Sequence, residues 1–153
     1  MAQMKIRQAR TSDAPAICEL INYHAERGRM LHKSLEDVYG RLRGFHVAED
    51  DGRLVGCAAV EVFWADLAEV KSLAVAADRQ GQGVGSELLA AACEDARSIG
   101  VRKLFALTYE KDFFAAHGFE VIDRDSLPEK VWRECVACPK ADACDETAVL
   151  KRL

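Results

Sequence analysis

The stretch RQGQGVGSELL, residues 79–89, places three glycines at alternating positions immediately before a leucine pair. A turn needs one or two glycines, so three indicate that the backbone itself must approach another group closely. The preceding residues 68–76, AEVKSLAVA, have the apolar pattern of a strand, and residues 86–100 have the pattern of an amphipathic helix. The stretch is therefore predicted to form the loop of a strand–loop–helix unit.

The start of that helix is suited to bind an anion. Several backbone N–H groups at a helix N-terminus lack partners, and the helix dipole favours negative charge there. Glycines at 81, 83 and 85 remove the side chains that hold a phosphate away from these groups. The loop is predicted to cradle a pyrophosphate, and a glycine-rich turn without a ligand is the alternative.

Two common nucleotide-binding motifs do not fit this loop. A Walker A loop requires lysine before the serine or threonine, and here Gly85 precedes Ser86. A dinucleotide-binding GxGxxG motif requires a third glycine at 86 or 88, where Ser86 and Leu88 stand. Residues 80–85, QGQGVG, match the pattern Q/R-x-x-G-x-G/A without a gap.

The rest of the chain predicts strands and helices in alternation. Asp51-Gly52 between two apolar runs is typical of a β-hairpin. Strands are predicted over 4–9, 45–50, 54–63, 68–76, 103–109, 119–123 and 147–153, and helices after 11–13 and over 34–43, 86–100, 110–118 and 127–135. An initial hairpin followed by alternating elements predicts an α/β (α+β) fold, a mixed sheet with helices on both faces.

Size and charge bound the class of protein. A chain of 153 residues predicts one domain over 1–153, and the net charge of 21 − 25 = −4 gives no electrostatic case for nucleic acid or an anionic membrane. No apolar run approaches the roughly 18 residues of a membrane helix, and the N-terminus has no apolar signal region. We therefore expect a cytoplasmic protein.

The glycine loop, with SLAVA before it, resembles the acetyl-CoA loop of the GNAT superfamily of N-acetyltransferases. Residues 113–119, FFAAHGF, resemble the second landmark of that superfamily, F-Y-x-x-x-G-F. The resemblance implies a mostly antiparallel sheet of about six or seven strands, with acetyl-CoA as co-substrate. It also implies two sets of CoA-binding residues: backbone amides of Gln80, Gly81, Gln82, Gly83, Val84, Gly85 and Ser86 for the pyrophosphate, and the strand edge of Leu73, Ala74 and Val75 for the pantetheine arm.

Acetyl transfer requires a neutral amine, so a base must remove a proton from the substrate ammonium. Glu69 lies four residues before Leu73, and the resemblance implies that an N–H near Leu73 stabilises the developing oxyanion. Partial burial of Glu69 would raise its pKa and make it a better base. A solvent-facing strand glutamate is the alternative. Phe114 stands where the superfamily often has a tyrosine acid, so Tyr109 is the predicted proton donor to the leaving thiolate. Thr108, a proton from water and unaided departure of the thiolate are the alternatives.

Further segments resemble the short bacterial N-acetylglutamate synthases, which implies acetylation of the α-amine of L-glutamate, the first step of arginine biosynthesis. The matching segments are GRMLHKS (28–34), EVKSLAV (69–75), KLFALT (103–108) and residues 127–146. Two carboxylates on glutamate require cations and N–H donors in the pocket. The predicted substrate-binding residues are Leu31, Lys33, Lys71 and Ser72, with Arg29 as a further cation.

Two alternatives to glutamate acetylation stay open at this point. In the first, the chain is an acetyltransferase whose acceptor is another amino acid, a small amine or a protein N-terminus. In the second, the chain senses acetyl-CoA without turnover. Cys135, Cys138 and Cys144 in the segment 127–146 offer three thiolates where zinc usually has four ligands, so no metal is predicted and reduced thiols are expected. A homodimer is plausible for a small enzyme of this kind.

Overall fold

The computed structural model describes residues 4–128 and 146–153. The strands within them are β1 (Met4–Gln8), β2 (Phe45–Asp50), β3 (Arg53–Trp64), β4 (Leu67–Val75), β5 (Lys103–Thr108), β6 (Glu120–Val121) and β7 (Thr147–Arg152). The α-helices are α1 (Ala14–Ala25), α2 (Leu35–Gly40), α3 (Val84–Ser98) and α4 (Lys111–Ala116). The strands form one seven-stranded sheet in the order β1-β2-β3-β4-β5-β7-β6.

The sheet is mixed, as predicted. Among the described strands, β4 and β5 form the one parallel pair, and the other neighbours are antiparallel. A parallel pair requires a crossover, and α3 supplies it between β4 and β5. The predicted α/β (α+β) class and the mostly antiparallel sheet of six or seven strands are confirmed.

Helices cover both faces of the sheet because side chains alternate along its strands. On one face, Val47 and Cys57 pack with Ile17 and Ile21 of α1. On the other face, α3 and α4 pack on a core that includes Val60, Val70, Leu89, Leu104 and Phe114. Ile17 and Ile21 on the inward face of α1 are fully buried.

The β2–β3 hairpin turns where Asp51-Gly52 predicts it. Asp51 has φ 51° and Gly52 φ 77°, and the two residues join strands that pair at Asp50 and Arg53. Left-handed conformations at both positions match the twist of the flanking strands, and aspartate and glycine tolerate them.

Several predicted boundaries differ from the structure. Helix α3 begins at Val84 rather than at 86, because Gly83 takes the cap position with φ 86°. Helix α2 ends at Gly40 rather than at 43, and a 3-10 turn over Leu42–Gly44 follows it. A Cβ at Gly44 would lie 2.4 Å from the carbonyl oxygen of Val60, so only glycine fits where this turn approaches β3.

The C-terminal predictions are met in part. The strand predicted over 119–123 is reduced to the two residues of β6. The first two residues of the predicted helix 127–135 are not helical and follow a 3-10 turn over Arg124–Ser126, while the rest of that prediction lies outside the described residues. Within residues 4–128 and 146–153, no helix has both the length and the apolar character needed to span a bilayer.

One buried residue of the sheet predicts how stability depends on pH. The side chain of His46 is 7% exposed, and its Nδ1 has no hydrogen-bond partner among the described residues. Burial lowers the pKa of His46 below its ordinary value, although the charge of Asp95 opposes this shift. As pH falls below about 6.5, His46 therefore becomes protonated in the unfolded chain before it does so in the folded protein.

We expect the free energy of unfolding to fall with decreasing pH below about 6.5, by at most about 1.4 kcal/mol per pH unit from this one group. Urea unfolding at pH 7.5, 6.5 and 5.5 measures this dependence for wild type and His46→Gln. The variant should lose less stability over this range, because glutamine does not titrate. Equal pH dependence in the two proteins would contradict a role for His46.

Candidate active site

The sheet opens where β4 and β5 separate. The two strands pair over three residues each, and their pairing ends at Glu69 opposite Phe105. Just beyond, β4 carries a bulge in which Ser72 and Leu73 stand opposite the single β3 residue Ala58. Ser72 has φ 54°, a left-handed conformation that costs a non-glycine residue about 1–2 kcal/mol. A bulge bends its strand, and the edge of β4 beyond Glu69 is not paired with β5.

Cys57 on β3 supports this bulge. Its thiol donates a hydrogen bond of 3.4 Å to the carbonyl oxygen of Ser72. Complete burial raises the pKa of Cys57 to about 12, so the group remains a thiol and keeps its proton for this bond. The thiol therefore stabilises the strained backbone of Ser72.

The loop after β4 has the geometry of an anion cradle. Gly81 has φ 78° and Gly83 φ 86°, conformations that L-residues rarely adopt, and a Cβ at either position would meet no atom within 4 Å. These two glycines are therefore required by backbone shape, and the space beside them is open. The first helical bond runs from Glu87 N to the carbonyl oxygen of Gly83 at 3.1 Å, so the amides of 84–86 precede the bonded turns of α3.

Gly85 serves the loop in a different way. It lies in the first turn of α3, and a Cβ there would contact the Phe113 ring at 3.5 Å. Next to it, Ser86 Oγ lies 3.0 Å from Nε2 of His117, whose ring packs against Phe113 at a centroid distance of 4.9 Å. The imidazole of His117 thus contacts residues of both α3 and α4, an arrangement that sequence spacing does not reveal.

Glu69 lies where the two parallel strands separate. It is 7% exposed, so its carboxylate is buried rather than solvent-facing. The ammonium of Lys71 is 3.9 Å from Oε1 of Glu69 and donates a hydrogen bond of 3.1 Å to Oε1 of Glu61. The guanidinium of Arg41 forms an ion pair with the same oxygen of Glu61. Lys71 therefore stands beside the buried carboxylate of Glu69, and Arg41 joins the same network through Glu61.

A cleft lies next to this network, between α2 and the sheet. Its lining residues within the described part of the chain are Lys33, Asp37, Val38, Arg41, Phe45, Ala59, Lys71 and Ser72. Three of them are cations and one is a carboxylate, so the cleft favours anionic ligands. The side-chain amide of Asn22 fixes the backbone of Lys33 with two hydrogen bonds of 2.9 Å, one to its N–H and one to its carbonyl.

The structure brings together three of the four predicted substrate-binding residues: Lys33, Lys71 and Ser72. Leu31 is 36% exposed and is not among the described residues that line the cleft. Nη1 of Arg29 lies 3.4 Å from Nδ1 of His24, a residue of α1, and Arg29 is not among the described residues that line the cleft. Arg41 is not among the site residues that the sequence predicts. The sequence places it in the helix predicted over 34–43, and its positive charge near the end of that helix is the one signal for a role in the site.

The predicted acid lies at the same end of the parallel strands. Tyr109 directly follows β5, four residues beyond Phe105, and is 39% exposed. Phe114 is 5% exposed and packs edge-on against Phe113 and Phe119 at centroid distances of 5.3 and 5.1 Å. Phe114 therefore fills a core position and supplies no hydroxyl there.

The cysteine predictions divide between described and undescribed residues. Cys18, Cys57 and Cys93 are free thiols within the described part of the chain. Cys135, Cys138 and Cys144 lie outside the described residues, and the interpretation as reduced thiols stays a prediction. In residues 4–128 and 146–153, no group of three or more histidine, cysteine or acidic side chains is arranged to hold a metal ion.

A strand edge that is not paired with β5 and that leads into a loop with open backbone amides suits a long ligand that carries a diphosphate, such as a coenzyme A thioester. Enzymes that transfer an acyl group from such a thioester are the class that these features indicate. The chain belongs to the Acetyltransferase (GNAT) family, whose sequence profile matches residues 7–119. The predicted family, the enzyme class and acetyl-CoA as co-substrate are thereby confirmed.

Individual relatives are similar over most of this chain. An uncharacterized N-acetyltransferase of Chlorobaculum tepidum is 38% identical over 148 residues, which cover 97% of this chain and 96% of that protein. The amino-acid acetyltransferase of Mycobacterium tuberculosis is 37% identical over 132 residues, covering 84% of this chain and 75% of that protein.

A solved structure resembles the whole chain. It is the N-acetylglutamate synthase of Neisseria gonorrhoeae complexed with coenzyme A and N-acetyl-glutamate, with a TM-score of 0.90 and 36% identity. The similarity covers 100% of this chain but 36% of that protein, so this chain spans about a third of the larger enzyme's length.

Proposed function

We propose that this chain transfers the acetyl group of acetyl-CoA to the α-amine of L-glutamate. The observation that carries the proposal is the cleft lined by the cations Lys33, Arg41 and Lys71, together with the ammonium of Lys71 at 3.9 Å from the buried carboxylate of Glu69. A dicarboxylic amino acid has two anionic groups for these cations and one amine for the carboxylate. The relatives named as amino-acid acetyltransferase and N-acetylglutamate synthase support the same acceptor.

The cations of the cleft can bind a substrate carboxylate without releasing Glu61. Lysine has three N–H donors and arginine five, so the hydrogen bonds to Glu61 use only part of the donor set of Lys71 and Arg41. Glu61 holds the two side chains next to each other and limits their freedom before substrate arrives. Arginine adds a planar fork that suits a carboxylate, which Lys33 by itself lacks.

The proposed reaction uses Glu69 and Leu73 of β4 and Tyr109, which follows β5. In our proposal, Glu69 accepts a proton from the substrate ammonium, directly or through a water molecule, and the neutral nitrogen forms a bond to the acetyl carbon. The carbon–sulfur bond breaks, and the hydroxyl of Tyr109 donates a proton to the leaving sulfur. The nitrogen loses its second proton as it becomes the amide, and this proton restores the Tyr109 hydroxyl through water, while Glu69 releases its proton to solvent. The N–H of Leu73 stabilises the negative charge that develops on the acetyl oxygen.

The binding residues for acetyl-CoA are assigned within the same proposal. Amides from Gln80 to Ser86 hold the diphosphate, since the left-handed glycines at 81 and 83 leave their surroundings open. The edge of β4 at Leu73, Ala74 and Val75 holds the pantetheine arm, because β5 does not pair with these residues. The whole of 1–153 acts as one acetyltransferase domain.

An assay of CoA release with a panel of acceptors tests the proposal. We expect kcat/KM for L-glutamate to exceed that for L-glutamine by at least about tenfold, because glutamine has the same shape without the side-chain charge. L-aspartate and spermidine complete the panel. A preference for spermidine would overturn the assignment of the acceptor, and acetyl-CoA binding without turnover for any acceptor would favour a sensor over an enzyme.

Lys33 provides a matched pair of variants. Lys33→Ala is expected to raise the KM for glutamate about tenfold, the effect of one lost hydrogen bond to a charged group, while the KM for acetyl-CoA stays unchanged. Lys33→Arg keeps the charge and should retain most of the affinity. Steady-state kinetics with each substrate varied in turn measures both values. An unchanged glutamate KM in Lys33→Ala would remove Lys33 from the cleft.

A further inference from the structure

We infer that Asp50 is a positioning residue for the diphosphate loop and acts through Arg79. Asp50 is the last residue of β2, and Arg79 immediately precedes the loop residue Gln80. The carboxylate of Asp50 forms an ion pair with the guanidinium of Arg79 across 29 positions of sequence. This inference rests on the proposed binding of the CoA diphosphate by residues 80–86.

The burial of this ion pair is unusual for a surface loop. The side chain of Asp50 is 1% exposed and that of Arg79 is 25% exposed. Oδ1 of Asp50 has no hydrogen-bond partner among the described residues, so burial of this carboxylate is only partly compensated. A buried and incompletely bonded charge contributes little to folding stability, and a role in fixing conformation accounts better for its presence.

A second ion pair joins the same two segments. Arg53, which pairs with Asp50 in the hairpin, donates hydrogen bonds of 2.8 and 2.9 Å to the two carboxylate oxygens of Asp78. In the hairpin, Asp50 is negative and Arg53 is positive. Asp50 pairs with the positive Arg79, and Arg53 pairs with the negative Asp78. These opposite charges determine which loop residue faces which hairpin residue.

The two ion pairs differ in strength. The side chains of Arg53 and Asp78 are 52% and 60% exposed, so water screens their interaction and it contributes little. The pair of Asp50 with Arg79 is mostly shielded from water, so its geometry is held more firmly, and it lies two residues before Gly81, whose backbone is intrinsically flexible. Loss of Asp50 should therefore loosen the start of the cradle, whereas loss of Arg53 should not.

The test measures CoA binding by calorimetry and steady-state kinetics for wild type, Asp50→Asn and Arg53→Gln. Asp50→Asn is expected to raise the KM for acetyl-CoA and the Kd for CoA about tenfold, with kcat and the KM for glutamate within about twofold of wild type. Arg53→Gln serves as the control and should change the KM for acetyl-CoA by less than about twofold. The split between the two substrates separates positioning from general damage to the fold.

A double variant keeps the test valid if Asp50→Asn does not fold. Asp50→Asn with Arg79→Gln removes both charges and leaves no buried ion unpaired, and it should show the same weakened CoA binding. Unchanged CoA binding in these variants would overturn the inference. Tighter binding in Asp50→Asn would also overturn it, because Asp50 would then only mask Arg79 from the diphosphate. If wild type itself does not bind CoA, the proposed loop site fails before the inference is reached.

Discussion

Replacement of Glu69 by glutamine is expected to lower kcat by about 100- to 10,000-fold, the range that a positioned general base contributes. Glutamine keeps the shape of the side chain and its place beside Lys71, but its amide does not accept the substrate proton. Because Glu69 lies at the point where β4 and β5 separate, the loss should fall on the chemical step. The KM for acetyl-CoA should stay within about threefold of wild type, since acetyl-CoA is bound by other residues.

Glu61→Gln is the matched control for this experiment. Glu61 pairs with Glu69 across β3 and β4 and shares Lys71 as a partner, yet its side chain is 32% exposed and it is not the proposed base. We expect a loss in kcat of less than about tenfold, caused by looser positions of Lys71 and Arg41. Single-turnover rates with saturating acetyl-CoA give the comparison. Equal activity of Glu69→Gln and wild type, or an equal loss in both variants, would contradict the role of Glu69.

Replacement of Gly83 by aspartate is expected to raise the KM for acetyl-CoA about 100-fold. A carboxylate about 6 Å from a diphosphate charge is repelled by about 3 kcal/mol at an effective dielectric constant near 20. Gly83 has φ 86° at the cap of α3, and aspartate is one of the residues that tolerate this conformation. A Cβ at this position meets no neighbouring atom, so the variant should fold.

Gly83→Asn has the same shape and the same backbone demand as Gly83→Asp, without the charge. Its KM for acetyl-CoA should rise only a few-fold, and the difference between the two variants isolates the electrostatic part. The difference should shrink at high salt, because exposed charges are screened. Kinetics at 0.05 and 0.5 M salt, roughly a threefold change in Debye length, measures this. Similar KM values for the two variants would show that no anion binds beside Gly83.

The loop was predictable from sequence because its signal is local. Three glycines between a strand and a helix specify both a left-handed backbone and an open N-terminus, and the structure has φ values of 78° and 86° at Gly81 and Gly83. The helix begins two residues earlier than predicted, because Gly83 itself takes the cap position and Gly85 is tolerated within the first turn. The hairpin at Asp51-Gly52 was predictable for the same local reason.

Long-range features had no comparable signal. Arg41 meets Glu61 across 20 positions and Asp50 meets Arg79 across 29, and no spacing rule connects such residues. The bulge at Ser72 was also hidden, since a serine with positive φ is held there by the pairing of β3 with β4 and by the thiol of Cys57. The burial of Glu69 depends on the same tertiary packing and is now established at 7% exposure.

The most direct test of the central claim is a crystal structure of this chain with coenzyme A bound. The claim predicts diphosphate oxygens within about 3 Å of backbone nitrogens between 81 and 86, with the pantetheine arm along Leu73, Ala74 and Val75. It also predicts the thiol end of the ligand next to Glu69. Coenzyme A bound at another surface, with the loop at 81–86 making no contact to phosphate, would contradict the claim.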